Sequence, residues 1–600
     1  MTRTADIDWD AGGAPRSRRF DDIYFSRDGC LAESKAVFLQ GCGLPDAWRG
    51  RRRFVVGELG FGTGLNVLAL LDLWRHDREP GARLHIFSVE AYPPPLAAGR
   101  RALALWPELA NLAETLTSAW PTARGFHRLD FPAEGAVLDV AIMEAAEALS
   151  AWDGRADAWF LDGFSPAKNP EMWRDEVLEL VARRSAPGAR AATFTVAGAV
   201  RRGLQAHGFS VAKRPGFGAK GERLEATLTA PAPSLPTRQP TGPPHVCIVG
   251  AGIAGAALAW AFREAGVEAT LIDSRGIGAG ASGNPAALVT PRFDAGGGVA
   301  AQLHAQAFER ARSLYGREAP HAIIATGALQ LEAADRDASR FDRIADGELF
   351  EPGIVMRLGA PQASERLSEP VAAGGLWLPD ALVVEPAATL GALIGDARVI
   401  LAKVARLEKD GQGWNLISDH GDVLGRAGIL CVAGGFDSKA LIPELELQAV
   451  RGQASLAKAA EPPVAAAWGG YLIPTREGLL FGATHDRGQV GEEVRPEDNL
   501  RNLSALGQMR PALAASLAAA ELGACAGVRA ATWDSAPLAG AVAEGGSLYA
   551  LCGLGGRGFT LAPSLAEHVV ALALGAPSPL SSAIGRSVRP DRFSRNSAAP

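Results

Sequence analysis

The chain is 600 residues long, 48% hydrophobic and 21% charged, with a formal net charge of −6; it is too long for a single core and has the composition of an ordinary globular protein of two to four domains. Residues 1–240 carry 30 Lys+Arg against 29 Asp+Glu, and the remainder 30 against 37. Neither half is therefore a strongly basic nucleic-acid binder, and an RNA partner has to be held by local patches.

The opening MTRTADIDWDAGG has no apolar signal region, and no run of about 18 apolar residues marks a membrane span. Cys30, Cys42, Cys247, Cys431, Cys525 and Cys552 lie far apart, with no C-x-x-C and no histidine at metal spacing. The expected setting is reducing and cytoplasmic, without metal. Arg49 with Arg51, Arg52 and Arg53, then Arg183/Arg184, Arg201/Arg202 and Lys213/Arg214, are candidate phosphate contacts. Solvated helix and loop faces are the plain alternative, because phosphate binding needs a contiguous surface.

RFVVGELGFGTGLNVLALLDLW (53–74) reads as a strand, a glycine turn and a helix. Gly60, Gly62 and Gly64 follow Glu58, and such a turn lets backbone N–H groups approach a ligand closely. This G-x-G-x-G with its upstream acid resembles the first motif of class I methyltransferases, which bind S-adenosylmethionine; in them the acid lies near the methionine ammonium. RLHIFSVEAYP (83–93) is a second strand ending on Glu90, placed to accept ribose hydroxyls. LDVAIMEAAEAL (138–149) puts Glu144 after a third strand, a position for an adenine contact. For both acids the alternative is a solvated strand end.

AWFLDGFSPAKNPEMW (158–173) opens on a fourth strand with Asp162 at its C-terminal end, and ligands of open α/β sheets bind beyond such ends. Methyl transfer to an amine needs alignment and an unprotonated nucleophile, and a carboxylate can orient the amine and help take its proton. Asp162 is accordingly the candidate catalytic residue. Where amino methyltransferases often carry Asn-Pro-Pro-aromatic, this chain has Asp-Gly-Phe-Ser-Pro. Phe164 and Pro166 are candidates to pack on a flat acceptor base and Lys168 to meet a phosphate, while Trp173 is expected to pack beneath the loop. HGFSVAKRPGFGAKGERLEATLTA (207–230) reads as two strands joined by a Gly-rich turn, the closing hairpin expected of class I methyltransferases.

PAPSLPTRQPTGPP (231–244) holds six prolines in fourteen residues and reads as a semi-rigid linker. After it, HVCIVGAGIAGAALAWAFREAGVEATLID (245–273) is a strand, Gly250-x-Gly252-x-x-Gly255, a helix, a strand and Asp273. The first glycine makes the turn, the second admits a pyrophosphate, the third allows helix–strand packing, and the acid holds a ribose. FAD is the expected dinucleotide. GWNLISDHGDVLGRAGILCVAGG (413–435) reads as a hairpin and a returning strand, as in FAD-binding chains, and Val404 before it stands where such proteins contact adenine by backbone. Ser282, Gly283 and Asn284 form a loop suited to line the isoalloxazine. Gly555 and Gly556 open a final helix whose N–H groups suit the flavin's pyrimidine end. Arg557 is the candidate for a forked pair with a substrate carboxylate, its alternative being a surface loop arginine. Arg451 and Arg529 are further substrate candidates. His304 and His485 are assigned no role as base, since a flavin can take a hydride from the carbon beside a neutral amine without one. The last residues, SVRPDRFSRNSAAP, read as a loosely held terminus.

In this order, GELGFGTGLN, AWFLDGFSPAKNPEMW, GAGIAGAALA, GASGNPAALVTPR, VRGQ, PTREGLLFGATHD and GLGGRGFTLAP are similar to the bifunctional tRNA 5-methylaminomethyl-2-thiouridine biosynthesis family over nearly the whole chain. The resemblance implies an α/β chain: a class I methyltransferase Rossmann-like domain (1–230), the linker, and a glutathione-reductase-type FAD domain with an inserted antiparallel-sheet substrate domain of amino-acid-oxidase type (245–600). The FAD-binding parts are expected at about 245–300, 395–440 and 525–575, the substrate parts at about 310–395 and 445–525. It further implies action on the wobble uridine of tRNA, and a monomer is expected. The FAD half oxidises a carboxymethylaminomethyl group, hydrolysis gives aminomethyluridine and glyoxylate, and the other half methylates the amine. The family usually has Ser-Arg-Gly-Leu-Thr at Gly556–Thr560, often Asn-Gly at Gly434-Gly435, and Gly-Asp where Ile142-Met143-Glu144 stands here, which weakens the adenine role of Glu144. An amino-acid oxidase fused to a small-molecule methyltransferase is a competing reading, separated by salt-sensitive tRNA binding. A non-catalytic binding protein is another, and a colourless protein without flavin absorbance would favour it.

Overall fold

The computed structural model describes residues 4–593, apart from 11–12, 26–28, 219–220, 230–244, 412, 459–462 and 544–545. The proline-rich linker thus lies outside the described residues, as does the last part of the terminus, 594–600. The chain divides into two compact units, 1–237 with 577–582, and 238–576 with 583–600.

The first unit is built on an eight-stranded sheet. Its order is Phe209–Pro215, Glu222–Leu228, Ser185–Thr193, Ala156–Leu161, Arg53–Leu59, Arg83–Glu90, Ala136–Ile142 and Gly125–Phe131. The five central strands run parallel. The closing hairpin and Gly125–Phe131 flank them antiparallel. That last edge strand is absent from the sequence reading, so Ala156–Leu161 is the fifth strand of this sheet in chain order and not the fourth.

Strand side chains alternate between faces: Phe54 and Val56 enter one core, Val55 and Leu59 the other. Helix Leu65–Asp77 buries Val67, Leu68, Leu71 and Trp74 in the first core, and helices Ala145–Ala151, Asp175–Arg183 and Gly198–Ala206 close the second. The chain leaves Arg53–Leu59 toward one edge and returns to its other side at Ala156–Leu161, which makes the gap between their C-terminal ends the sheet's switch point. A small N-terminal sheet, Ile7–Trp9, Pro15–Ser17 and Asp22–Ile23, is a further element unforeseen from sequence.

The second unit has a six-stranded sheet ordered Arg398–Leu401, Ala269–Asp273, Val246–Val249, Ile429–Val432, Leu548–Cys552 and Leu538–Ala541, parallel except for the last strand. Segments 287–384 and 448–531 form a separate ten-stranded, mainly antiparallel sheet. Val404–Asp410, Gly413–Ser418 and Val423–Ala427 form a three-stranded meander. The terminus expected to be loose is held as far as it is described. Val588 is fully buried and its carbonyl accepts from Ala539 N at 2.7 Å, Arg592 forks onto Asp534 with both contacts at 2.9 Å, and Phe593 packs on Trp533.

Helices Val299–Glu318 and Gly558–Leu574 are joined by a buried forked pair, Arg310 Nε and Nη2 donating to Glu567 at 2.9 and 2.7 Å. Glu567→Ala is expected to destabilise the second unit by about 3–5 kcal/mol, because it leaves a buried guanidinium without its counter-charge. The double replacement Arg310→Met/Glu567→Leu should recover most of that loss; calorimetric melting of the purified variants measures both.

Candidate functional site

In the first unit the site begins at the switch point. Gly60 has φ +93°, and a Cβ there would stand 2.2 Å from the carbonyl oxygen of Asp162, so the glycine turn runs directly against the end of the neighbouring strand. Gly62 and Gly64 are also left-handed, at φ +52° and +78°, and Gly64 caps helix Leu65–Asp77. Glu90 accepts the N–H of Gly62 and of Tyr92, each at 2.9 Å, which fixes its carboxylate beside the turn.

Glu58 is buried at 1% exposure. One oxygen accepts the Ser88 hydroxyl, and Oε1 has no partner. Burial pushes its pKa up to about 8, with Asp162 and Glu90 adding repulsion. Burial likewise raises Glu90, to about 7. An orphaned acceptor in a buried carboxylate suits an ammonium donor, so this cradle fits the methionine end of S-adenosylmethionine. Glu144 stands at the start of helix Ala145–Ala151 and accepts the Tyr92 hydroxyl at 3.2 Å.

Asp162 accepts Asn66 Nδ2 at 2.7 Å, and Asn66 Oδ1 in turn accepts the Ser34 hydroxyl at 2.6 Å. Past Asp162 the loop is braced from below by Trp173, whose Nε1 donates to the Phe164 carbonyl at 2.8 Å. The N-terminal sheet braces it from the other side. Asp22 accepts Ser165 N at 3.1 Å, and the Phe164 ring sits 5.0 Å from Phe20 and 5.1 Å from Tyr24. Lys168 was expected at a phosphate. Its ammonium instead bonds the Asp21 carbonyl and lies 3.4 Å from Asp22, because the arm brings acceptors within its reach. Pro166 is half-buried on the same loop.

The sequence reading missed Phe20, Asp22, Tyr24, Ser34 and Asn66. The run FDDIYF (20–25) was the available signal for the arm, and Asn66 follows the glycine motif directly.

In the second unit Gly250 has φ +109° and would place a Cβ 2.5 Å from the Ala433 carbonyl, while a Cβ on Gly255 would lie 1.9 Å from the Gly250 carbonyl. Strand ends and helix Ile253–Glu264 therefore close on one another only through glycine. Asp273 accepts Ala251 N and Arg275 N at 2.8 Å and Gly276 N at 3.0 Å, leaving part of a four-site carboxylate for a ribose. Ser282 Oγ accepts the first helical N–H, Ile253 N, at 3.0 Å and stands 3.0 Å from where a Gly252 Cβ would be. Gly283 closes its loop onto Gly280 and Gly278, and Asn284 is half-buried beside it. Ala402 N bonds the Asp273 carbonyl at 3.0 Å, which sets Val404, first residue of its strand, near the acid's end of the sheet. This glycine-lined crevice with an acid beyond it fits an FAD.

Gly555, at φ +55°, and Gly556 form the turn into helix Gly558–Leu574, whose first residue would touch Ile253 with a Cβ at 3.0 Å. Arg557 bonds the hydroxyl and carbonyl of Thr290. Burial, helped by the charge of Arg292, lowers its pKa to about 10, so it stays a cation at neutral pH. Arg529 donates to the Thr484 carbonyl at 2.8 Å and reaches to 3.6 Å from a Cβ on Gly556, which brings it to the same turn.

Arg451 does not join them. It is fully buried and committed to Asp498 at 2.6 Å, the Glu493 carbonyl and Gln453, so it serves as a structural ion pair and not as a substrate contact. His304 is buried and driven down to about 4, chiefly by desolvation and then by Arg557 and Arg292. Of the basic clusters, Arg51 pairs with Asp157 at 2.7 Å, Lys213 with Glu222 at 2.7 Å and Arg49 with Asp46 at 3.2 Å. Among the described residues no helix is long and apolar enough to cross a membrane, and no group of three or more His, Cys, Asp or Glu is arranged to hold a metal.

Residues 107–229 match a family of S-adenosyl-L-methionine-dependent methyltransferases, and residues 245–572 match the FAD dependent oxidoreductase family. Glycine oxidase from Geobacillus kaustophilus superposes with TM-score 0.50 at 21% identity, covering 56% of this chain and 95% of that one; Amadoriase I from Aspergillus fumigatus does so at 0.50 and 14%, covering 61% and 93%. At such identities these two likenesses establish fold alone. The chain is thus a methyltransferase and an FAD-dependent oxidoreductase in one polypeptide. It is 53% identical over 596 residues to the tRNA 5-methylaminomethyl-2-thiouridine biosynthesis bifunctional protein MnmC of Caulobacter vibrioides, covering 99% of this chain and 98% of that protein, and 41% identical to that of Maricaulis maris, covering 98% and 96%. It belongs to the MnmC family.

The raised Glu58 carboxyl carries a stability consequence. Unfolded, it ionises near 4.5; folded, it keeps its proton to about 8. Folding therefore takes up a proton between those values, and the stabilisation is complete below about 4.5 and lost as pH rises through about 8. Glu90 acts in the same direction. The ligand-free melting temperature of the first unit is expected to fall from about pH 5 to about pH 8. Glu58→Gln should flatten the Glu58 part, as read by fluorimetry across a pH series.

Proposed function

We propose that the protein is a cytoplasmic, monomeric enzyme that modifies the wobble uridine of tRNA in two steps. Residues 245–600 remove the carboxymethyl group from 5-carboxymethylaminomethyl-(2-thio)uridine, leaving the 5-aminomethyl nucleoside and glyoxylate. Residues 1–230 then methylate the amine to 5-methylaminomethyl-(2-thio)uridine, and 231–244 links the two parts. The observation that carries this reading is 53% identity over 99% of the chain with a bifunctional relative, joined to a crevice of carboxyl groups in one unit and of arginines in the other.

Glu58 takes the methionine ammonium, Gly60, Gly62 and Gly64 line the donor, and Glu90 with Glu144 meets its nucleoside. Asp162 orients the acceptor amine and helps take its proton, while Phe164 and Pro166 wall the base together with Phe20 and Tyr24 of the arm. In the oxidoreductase, Gly250, Gly252, Gly255, Asp273, the Ser282–Asn284 loop, Val404 and the Gly555–Gly556 turn hold FAD, which when bound supplies the two-electron acceptor. Arg557, with Arg529 beside the same turn, clamps the carboxylate of the glycine-like side arm.

Mass spectrometry of the wobble nucleoside after incubation with undermodified tRNA tests the reading. The aminomethyl product is expected without S-adenosylmethionine and the methylaminomethyl product with it; an unchanged nucleoside would overturn it. Asp162→Asn is expected to cut methyl transfer at least about 100-fold and leave oxidation intact. Arg557→Ala should raise the KM of the oxidative step roughly 10- to 100-fold while the flavin absorbance persists.

A further inference from the structure

The polar chain Ser34–Asn66–Asp162 joins Asp162 to two buried groups given no role above. Its members come from helix Cys30–Ser34, from the first turn of Leu65–Asp77 and from the end of strand Ala156–Leu161. Ser34 and Asn66 are buried at 3% and 7% exposure. Asn66 lies in a turn that is buried all round, between Leu65 and Val67, which with Leu68 fill the core. A hydrophobic residue would serve packing there at no desolvation cost. The amide is instead held at both ends: Oδ1 accepts the Ser34 hydroxyl at 2.6 Å, and Nδ2 donates to Asp162 Oδ2 at 2.7 Å.

An asparagine amide has two N–H donors and one carbonyl acceptor. The acceptor-only carboxylate of Asp162 sets which way the amide faces, and the Ser34 hydroxyl anchors its carbonyl end. Turned over, it would point its oxygen at a carboxylate.

We infer that Asn66 is a positioning residue for methyl transfer: anchored by Ser34, its amide fixes the direction of the carboxylate that meets the acceptor amine, Asp162. This rests on the proposed role of Asp162. Asn66 acts only through Asp162. Alignment of donor and acceptor is the main demand of a methyl displacement, so a carboxylate free to swing loses turnover more than binding.

The experiment uses the full-length enzyme with aminomethyl-bearing tRNA and S-adenosylmethionine. Asn66→Ala is expected to lower kcat for methylation about 30-fold, with the Kd for S-adenosylmethionine and the KM for tRNA changed less than about 3-fold. Ser34→Ala keeps the amide but removes the anchor of its carbonyl end, and should lower kcat about 5-fold. In the Asn66→Ala background, Ser34→Ala should have no further effect, since it acts through the amide alone.

Additive losses, or losses in affinity that match the loss in kcat, would show mere packing and overturn the inference. Where Asn66→Ala does not fold, Ser34→Ala carries the test alone: a fall in kcat at unchanged S-adenosylmethionine affinity supports the inference and unchanged kcat overturns it. If Asp162→Asn abolishes methylation while Asn66→Ala leaves it intact, the inference fails and the role of Asp162 stands. If Asp162→Asn methylates normally, both fall.

Discussion

Both units depend on one constraint, the meeting of two backbones closer than a Cβ allows. In the first unit Gly60 lies against the Asp162 carbonyl, and in the second Gly250 lies against that of Ala433. Both glycines have positive φ, so the chain turns out of its strand just where the neighbouring strand ends. The consequence is the same in each case. A crevice opens beyond the parallel strands, walled by backbone N–H groups and short enough that side chains from adjacent strands converge on it. Glu58, Glu90 and Asp162 converge in this way on one crevice, and Asp273 with the Gly278–Gly283 loop on the other. Remove the close approach and the acids no longer share a site.

How much of this was legible in the sequence follows from the range of the forces involved. The two glycine motifs, the parallel strands and the closing hairpin announce themselves locally, through positive-φ demands and period-two burial. Gly125–Phe131 was missed because an edge strand reads FHRLDF, with charges that the period alone does not explain. Arg128 is in fact buried against Asp139 of the neighbouring strand, with two contacts at 2.7 Å. The N-terminal arm was missed for a different reason. Its strands are two or three residues long and have no periodicity to detect, yet Phe20, Asp22 and Tyr24 decide what surrounds Phe164.

Arginines and lysines were the least legible residues of all. Arg451, Arg529 and Arg557 look alike in sequence, as cations among glycines and small residues. Their fates are set by partners far along the chain: Asp498 buries the first, while the Thr484 and Thr290 carbonyls hold the other two at the crevice. Lys168 behaves the same way, its place fixed by Asp21 and Asp22 some 146 residues earlier. A residue's charge is local information, but its availability is not.

The two sites differ most in charge, and that difference bears on the order of the proposed reactions. The oxidoreductase crevice presents Arg557 and Arg529, both lowered by desolvation yet cationic at neutral pH, with Arg292 adding to the field. The methyltransferase crevice gathers three carboxyl groups, two of them raised chiefly by burial, with neighbouring acids adding repulsion. A carboxymethylaminomethyl arm carries a carboxylate that the arginines of the first crevice attract. Its removal leaves a primary amine without that anion, a partner for the carboxyl groups of the second crevice. The first step therefore converts a ligand suited to arginines into one suited to carboxylates, and the sulfonium of the methyl donor is drawn to those same acids. On this view the raised Glu58 and Glu90 carboxyls are not defects of packing. They are the energetic cost, in the ligand-free protein, of a site that becomes electrostatically balanced only when donor and amine are both in place.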